Sequence, residues 1–162
     1  MKLNSCLVDQ IWCKIRIRNS SELHIGVCYR SPNIEFSKKD NDALLCEMLT
    51  EVRGKPLLLM GDFSHPDIDW SSSHGRSPSA QNFVNCVGDA FLTQHVTEGT
   101  CNGAILDLVL TSEPDMIDSI SVLSQLGSSD HNMLEWEVLL SPIVSVFNRP
   151  CLDYAHANYE AI

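Results

Sequence analysis

With 162 residues, 44% of them hydrophobic, the chain is long enough for one domain with a buried core, which argues against disorder throughout. Eleven Lys and Arg residues stand against 21 Asp and Glu residues, and the resulting net charge of −10 argues against a broad basic surface for nucleic acid. Since no apolar stretch reaches the length of a membrane span and no signal peptide is evident, we expect a soluble intracellular protein, nuclear or cytoplasmic and not secreted.

The first two predicted elements are strands that form a hairpin. Residues 11–18 alternate between apolar and polar side chains, which is typical of a strand with one buried face. The face expected to be buried carries Ile11, Cys13, Ile15 and Ile17, and the face expected to be solvated carries the basic residues Lys14, Arg16 and Arg18. A polar turn at residues 19–22 leads into a second strand at residues 23–29.

The next segment predicts a helix followed by a buried strand. Asp40 can cap a helix at residues 41–53, and Gly54 is suited to end it. Pro56 then opens a short apolar run that stops abruptly at Gly61 and Asp62. A carboxylate at the end of a buried strand lies where α/β proteins present groups to substrates.

The second half predicts one more helix and several strands. After a polar loop at residues 64–78, Pro78 begins a helix whose apolar face is expected to carry Phe83, Val87 and Phe91. Further strands are predicted at residues 92–96, 105–111, 117–124 and 133–140. This order of elements predicts an α/β protein with a mixed sheet and helices on one side.

The cysteines show neither disulfide-rich nor zinc-binding spacing. They number seven, and no Cys-x-x-Cys pair occurs among them. Cys13, Cys28, Cys46 and Cys86 each lie among apolar neighbours in the sequence. We therefore expect small core residues in a reducing compartment, not a disulfide framework or a zinc site.

Three carboxylates and a histidine at strand edges suggest metal-assisted phosphate chemistry. Asp62 ends one strand, Asp107 lies inside an otherwise apolar strand, and Asp130 and His131 directly precede another apolar run. Carboxylate oxygens are preferred by magnesium, and a histidine beside a phosphate is most effective when a second carboxylate orients it.

Each residue also has a structural interpretation. An Asp after Gly at a strand end is often a turn residue, and Ser129-Asp130-His131 could cap a helix. Tyr29, at the end of an apolar strand, could be a half-buried aromatic side chain. Asp107 is the stronger candidate because an acid in an apolar strand is costly to bury without a partner.

In this order, these pieces resemble the endonuclease/exonuclease/phosphatase superfamily. The matching segments are residues 26–32, 57–64, 105–111 and 129–131. Residues 65–70, His-Pro-Asp-Ile-Asp-Trp, more particularly resemble the apurinic-type endonuclease domain of non-LTR (LINE-like) retrotransposons, near the CR1 and jockey groups. Residues 152–159 resemble the segment that joins this domain to a reverse transcriptase.

The resemblance implies a fold, a reaction and a role for each matching residue. The fold is a four-layer α-β-β-α sandwich, here partial because the family's N-terminal part is missing, with residues 1–140 as a truncated domain and 141–162 as a linker. The reaction is nicking of DNA with Mg²⁺ or Mn²⁺. The implied catalytic residues are Asp62, His131, Asp107 and Tyr29, the implied substrate-binding residues are Ser64, Thr100 and Ser129, and Asp130 is the implied metal ligand.

Two departures from the family pattern indicate weak or absent activity for the chain alone. Ser64 stands where the family has Asn, and the family's main metal-binding Glu has no match before Tyr29. Loss of the glutamate would lower magnesium affinity, and loss of the first strands would expose a sheet edge that invites self-association or a partner. Two alternatives remain open: a non-catalytic binding module, and a phosphatase branch of the same superfamily.

Overall fold

The computed structural model describes residues 9–17, 22–30 and 38–139. Its helices are α1 (Lys38–Val52) and α2 (Pro78–Asp89). Its strands are β1 (Asp9–Arg16), β2 (Glu22–Tyr29), β3 (Leu57–Asp62), β4 (Ile68–Asp69), β5 (His74–Gly75), β6 (Thr93–Gln94), β7 (Asp107–Thr111), β8 (Ile117–Gln125) and β9 (Asn132–Val138). The predicted linker at residues 141–162 lies outside the described residues.

The main sheet is mixed, as predicted, and has the strand order β1-β2-β3-β7-β6. β2 and β3 are parallel, whereas the other neighbours are antiparallel, and the predicted hairpin of β1 with β2 is confirmed. β4 and β5 form a small hairpin within the long loop, and β8 and β9 form a separate two-stranded sheet.

The two faces of the main sheet pack against different layers. The helix-side core joins the sheet to α1 and α2 through buried side chains that include Leu49, Leu59, Phe63, Phe83 and Leu108. The hairpin-side core joins the opposite face to β8 and β9 through a set that includes Leu23, Leu58, Val109 and Ile117. The order of layers is therefore helices, main sheet and second sheet.

The prediction for the buried face of the first strand is wrong for Ile11, Cys13 and Ile15, which are exposed, although Ile17 packs against the hairpin-side core as predicted. Ile11 is 76% exposed and Ile15 is 37% exposed, while Trp12 on the opposite face packs against the helix-side core. The Trp12 ring fits there because Gly26 on β2 has no side chain, and a Cβ at Gly26 would lie 2.6 Å from the ring. Burial of the large indole therefore decides which face of this edge strand turns inward.

Helix α2 begins as predicted but ends before Phe91. Ser77 caps it by accepting a hydrogen bond from the backbone N–H of Ala80 at 3.3 Å. Phe83 and Val87 are buried, but Phe91 lies past the end of the helix with a φ of 57° and is 68% exposed. The prediction that Phe91 belongs to the buried face is therefore wrong, and its ring instead lies under the guanidinium of Arg53.

The prediction of free core cysteines holds for only part of the set. Cys46 on α1 and Cys86 on α2 form a disulfide that links the two helices, so the expectation of free thiols is wrong for this pair. The sequence gives no hint of the bond because the two residues lie 40 positions apart. Cys28 is a buried free thiol as expected, whereas Cys13 is exposed on β1. In the part of the chain that the structure describes, no helix is long and apolar enough to cross a membrane.

Candidate active site

Three predicted site residues lie side by side at one edge of the main sheet. Tyr29 pairs with Asp62 across β2 and β3, and Asp62 pairs with Asp107 across β3 and β7. Side chains at paired positions project from the same face of a sheet. Tyr29 is 46% exposed and the two carboxylates are half-buried, so this row of side chains is open to solvent on one side.

The backbone around Asp62 is locally fixed. One carboxylate oxygen of Asp62, Oδ1, accepts hydrogen bonds from the backbone N–H of Ser64 at 2.7 Å and from its hydroxyl at 2.9 Å. Ser64 has a φ of 45°, which this short polar side chain tolerates less readily than Asn does. Ser64 is buried, so its hydroxyl orients Asp62.

A buried ion pair between Arg30 and Asp42 supports the turn at residues 62–64. The backbone N–H of Arg30 donates to the carbonyl of Asp62 at 2.9 Å, and Nη1 donates to the carbonyl of Ser64 at 3.1 Å. Its Nη2 lies 2.9 Å from Oδ1 of Asp42 on α1, whose Oδ2 accepts from the hydroxyl of Ser79 on α2. This pair was not predicted, because its signal in the sequence is no more than an arginine directly after a buried strand.

His65 lies beside the same ion pair and is uncharged at neutral pH. Its ring is buried and stacks on Phe83 at 4.8 Å between centroids. Burial, followed by the nearby Arg30 guanidinium, lowers the pKa of His65 to about 4. Its Nε2 lies 3.7 Å from Oδ1 of Asp42, which is too far for a hydrogen bond. His65 therefore contributes aromatic packing beside the ion pair and not a hydrogen bond to it.

The side chains of Asp107 and His131 are in direct contact. Oδ2 of Asp107 lies 2.7 Å from Nδ1 of His131. Burial alone would lower the pKa of His131, but the hydrogen bond to Asp107 and the charges of Asp107, Asp62 and Asp130 raise it above its ordinary value. The neighbouring carboxylates therefore stabilise the imidazolium form of His131 relative to that of a free histidine.

Thr100 supports Asp107 from within the core. Its side chain is fully buried, and its hydroxyl accepts the backbone N–H groups of Leu106 at 3.0 Å and Asp107 at 3.1 Å. This geometry places Thr100 as a support for Asp107, and the substrate-binding role that the resemblance implies for it stays a prediction.

Two further side chains lie beside His131: Asp130, which precedes it in the loop before β9, and Cys101, which was not predicted and comes from a separate turn. The hydroxyl of exposed Ser129 accepts the backbone N–H of His131 at 3.1 Å, which fixes the turn. Asp130 is exposed, and its Oδ2 lies 3.9 Å from Sγ of Cys101. Burial and the carboxylates of Asp130, Asp107 and Asp62 raise the pKa of the Cys101 thiol. Cys101 has no motif spacing, so sequence analysis could not select it.

Titration of His131 tests the pairing with Asp107. We expect Asp107→Asn to lower the pKa of His131, because the ionic hydrogen bond is lost while the burial remains. The raised pKa means that the pair stabilises the fold fully below pH 6.5 and that this contribution fades as pH rises through the folded-state pKa. NMR titration of the histidine ring protons measures the shift, and His95, whose pKa is lowered by burial, is the internal control. An unchanged His131 would contradict the pairing.

The donor atoms at this edge do not match what magnesium prefers. Among the described residues, one group of three or more potential ligands comes together, namely Cys101, Asp130 and His131. Magnesium favours carboxylate and water oxygens, whereas this group offers a thiol, an imidazole and a single carboxylate. One carboxylate oxygen of Asp107 is engaged by His131, and one carboxylate oxygen of Asp62 is engaged by Ser64.

Comparison with known proteins agrees with this architecture. A family model described as endonuclease-reverse transcriptase matches residues 23–135. The endonuclease domain of TRAS1, a telomere-specific non-LTR retrotransposon, is similar with a TM-score of 0.59 and 19% identity, over 81% of this chain and 67% of that one. An endonuclease/exonuclease/phosphatase family protein from Leptotrichia buccalis has a TM-score of 0.51 and 14% identity, over 81% of this chain and 59% of that one. No curated protein matches the chain. The predicted α/β fold class is thereby confirmed.

Proposed function

The chain belongs to the endonuclease-reverse transcriptase family, and from that premise we propose that it is a retrotransposon-type endonuclease domain that hydrolyses DNA phosphodiesters, with weak activity on its own. The observation that carries the proposal is the meeting of Asp62, Asp107 and His131 at one sheet edge, with His131 held by Asp107 at 2.7 Å. Two acids and an oriented imidazole are suited to position water and to stabilise charge on a phosphate.

Each side chain has one task in this proposal. With Nδ1 of His131 engaged by Asp107, Nε2 is the atom that donates a hydrogen bond to a non-bridging phosphate oxygen. Asp62, oriented through Oδ1 by Ser64, aligns the attacking water through its other oxygen. The Tyr29 hydroxyl, on the neighbouring strand, donates to the same phosphate as charge develops.

Two features support low activity. Among the described residues, the potential ligands that come together offer a single carboxylate, that of Asp130, so Mg²⁺ or Mn²⁺ would depend mainly on water and substrate phosphate for its ligands. The net charge of −10 also weakens attraction to the DNA backbone, since binding of DNA depends on neutralising phosphates. In contrast, a groove of about 540 Å³, lined by residues 102–105 and by Trp70, presents Arg76 as an exposed cation, which suits a short contact with a nucleic-acid strand.

A plasmid-nicking assay with magnesium tests the proposal. We expect slow conversion of supercoiled to nicked plasmid, which Asp62→Ala and His131→Ala each abolish. The matched control is Asp118→Ala, since Asp118 is an exposed acid on β8 that belongs neither to the site nor to the lining of the groove. Nicking that survives in both site variants would contradict the assignment, and fast nicking abolished by Asp62→Ala would contradict the weak activity.

An interaction module is the second candidate, favoured by an exposed apolar surface. On the face of the sheet opposite the helices, Ile11 is 76% exposed and its partner across the hairpin, Val27, is 47% exposed. The strand that carries Ile11 has one neighbour among the described strands, so its edge is open to pairing.

Self-association through this surface is expected to depend on Ile11. In multi-angle light scattering, we expect the wild-type chain to form species larger than a monomer and Ile11→Lys to reduce them, because a charge on this face opposes apolar contact. Leu126→Lys, at a 72% exposed position in the β8–β9 turn, controls for the added charge. A monomeric wild-type chain would exclude self-association through this surface.

A further inference from the structure

Three different metal-binding groups lie close together, namely the side chains of Cys101, Asp130 and His131. The thiol sulfur, a carboxylate oxygen and a ring nitrogen of these residues all lie within 4.8 Å of one another. Ligands around a tetrahedral zinc ion lie about 3.5 Å apart, given bonds of about 2.0–2.3 Å. Because Asp130 is exposed, a rotation of its side chain can close the remaining gap.

The backbone brings the three residues together before any ion binds. Cys101 and His131 face each other in an isolated antiparallel bridge. The backbone N–H of Asn132 donates to the carbonyl of Thr100 at 2.7 Å, and the turn is closed by Ala104, whose carbonyl accepts from Cys101 at 3.0 Å. Two ligands from separate loops are thus fixed side by side, which lowers the ordering cost of binding.

The surroundings also favour a soft dication. Asp107 holds Nδ1 of His131, so Nε2 carries the lone pair of the neutral ring, and a carboxylate behind a ligating histidine is a recurrent arrangement in zinc sites. Oδ2 of Asp107 lies 2.7 Å from Nδ1 of His131, and a carboxylate oxygen of Asp130 lies within 4.8 Å of a ring nitrogen of His131, so acidic groups surround this proposed ligand. Thiol and imidazole ligands select zinc over magnesium.

We propose that Cys101, Asp130 and His131 bind a zinc-class divalent cation and that this cation competes with phosphate for His131. On binding, the Cys101 thiol and the Nε2 of a protonated His131 each lose one proton to solvent, the thiolate and the neutral ring become ligands, and the fourth position is left to water. The ion takes the Nε2 that the proposed hydrolysis needs, so zinc inhibits the enzyme. The inhibition rests on the proposed function, whereas the binding does not.

Cobalt(II) titration of the full chain is the direct test of the site. Cobalt replaces zinc in such sites, and its thiolate charge-transfer absorption reports a cysteine ligand. We expect this absorption in the wild-type protein, its loss when Zn²⁺ is added, and its absence in Cys101→Ser. Cys13→Ser is the matched control, because Cys13 is an exposed free thiol on β1. No absorption in the wild type, or equal absorption in Cys101→Ser, overturns the proposal.

Two further variants keep the site testable if Cys101→Ser fails to fold. Asp130→Asn changes an exposed ligand, and Asp107→Asn changes the residue behind His131; loss of such an outer partner weakens metal binding by about 10–100-fold. We expect both to weaken Zn²⁺ binding at least about tenfold in calorimetry, and wild-type affinity in both overturns the site.

The nicking assay separates this proposal from the proposed function. Zn²⁺ is expected to suppress magnesium-supported nicking by the wild type and not by Cys101→Ser, and equal suppression of both overturns the inhibition. If no variant nicks DNA under any condition, the proposed function fails while the cobalt spectrum still decides the cation site.

Discussion

Replacement of Asp42 by alanine is expected to lower the free energy of unfolding by about 3–5 kcal/mol, because it leaves a buried guanidinium without its counter-ion. The Arg30 side chain is 6% exposed and the Asp42 side chain 8%, so water cannot take over the lost contacts. Since a domain of this size is stable by only about 5–15 kcal/mol, much of the fold's stability depends on this one carboxylate. Urea denaturation followed by circular dichroism measures the change.

Two variants separate the buried charge from other effects. Glu47→Ala alters an exposed acid on the same helix and is expected to change the stability by less than about 0.5 kcal/mol. The double variant Arg30→Met, Asp42→Leu removes both charges, and we expect it to be more stable than Asp42→Ala alone. If Asp42→Ala unfolds within about 1 kcal/mol of the wild type, the pair does not carry the stability assigned to it.

The position of this ion pair shows where the sequence stops being informative about the fold. Strand and helix positions follow from local patterns, and the hairpin, both helices and the strand ending at Asp62 were predicted close to their observed bounds. The buried face of β1 was not, because it depends on a contact between Trp12 and Gly26 of another strand. The Cys46–Cys86 disulfide likewise depends on how two helices pack, which spacing along the chain does not reveal.

The residues of the site likewise divide into those that could be selected from sequence and those that could not. Asp107 could be selected from sequence because an acid in an apolar strand needs a partner, and the structure supplies His131 at 2.7 Å. Cys101 and Asp42 could not, since each is ordinary in its local sequence and acquires its role from residues 29 and 12 positions away. The roles of Asp42 and Cys101 thus arise from tertiary packing, whereas the side-by-side placement of Tyr29, Asp62 and Asp107 follows from strand register.

Gly61→Ala is expected to destabilise the fold by about 4 kcal/mol, the second largest effect. Gly61 has a φ of 139°, and a Cβ there would lie 1.9 Å from the carbonyl oxygen of Cys28 on the neighbouring strand. Backbone strain and forced separation of packed strands each cost about 1–3 kcal/mol. The displaced strand would also move Asp62 relative to Asp107, so any nicking activity should fall with stability. The urea midpoint and the plasmid assay together measure both effects.

Gly88→Ala is the matched control because the same change meets no obstacle there. Gly88 lies in α2, and a Cβ at this position would have no atom within 4 Å. Alanine is the better helix former, so this variant should gain up to about 1 kcal/mol and leave nicking unchanged. Opposite signs for the two substitutions would show that close approach of β2 and β3 requires glycine before Asp62. If Gly61→Ala is as stable as the wild type, the strands tolerate a side chain, and the fixed placement of Asp62 has another cause.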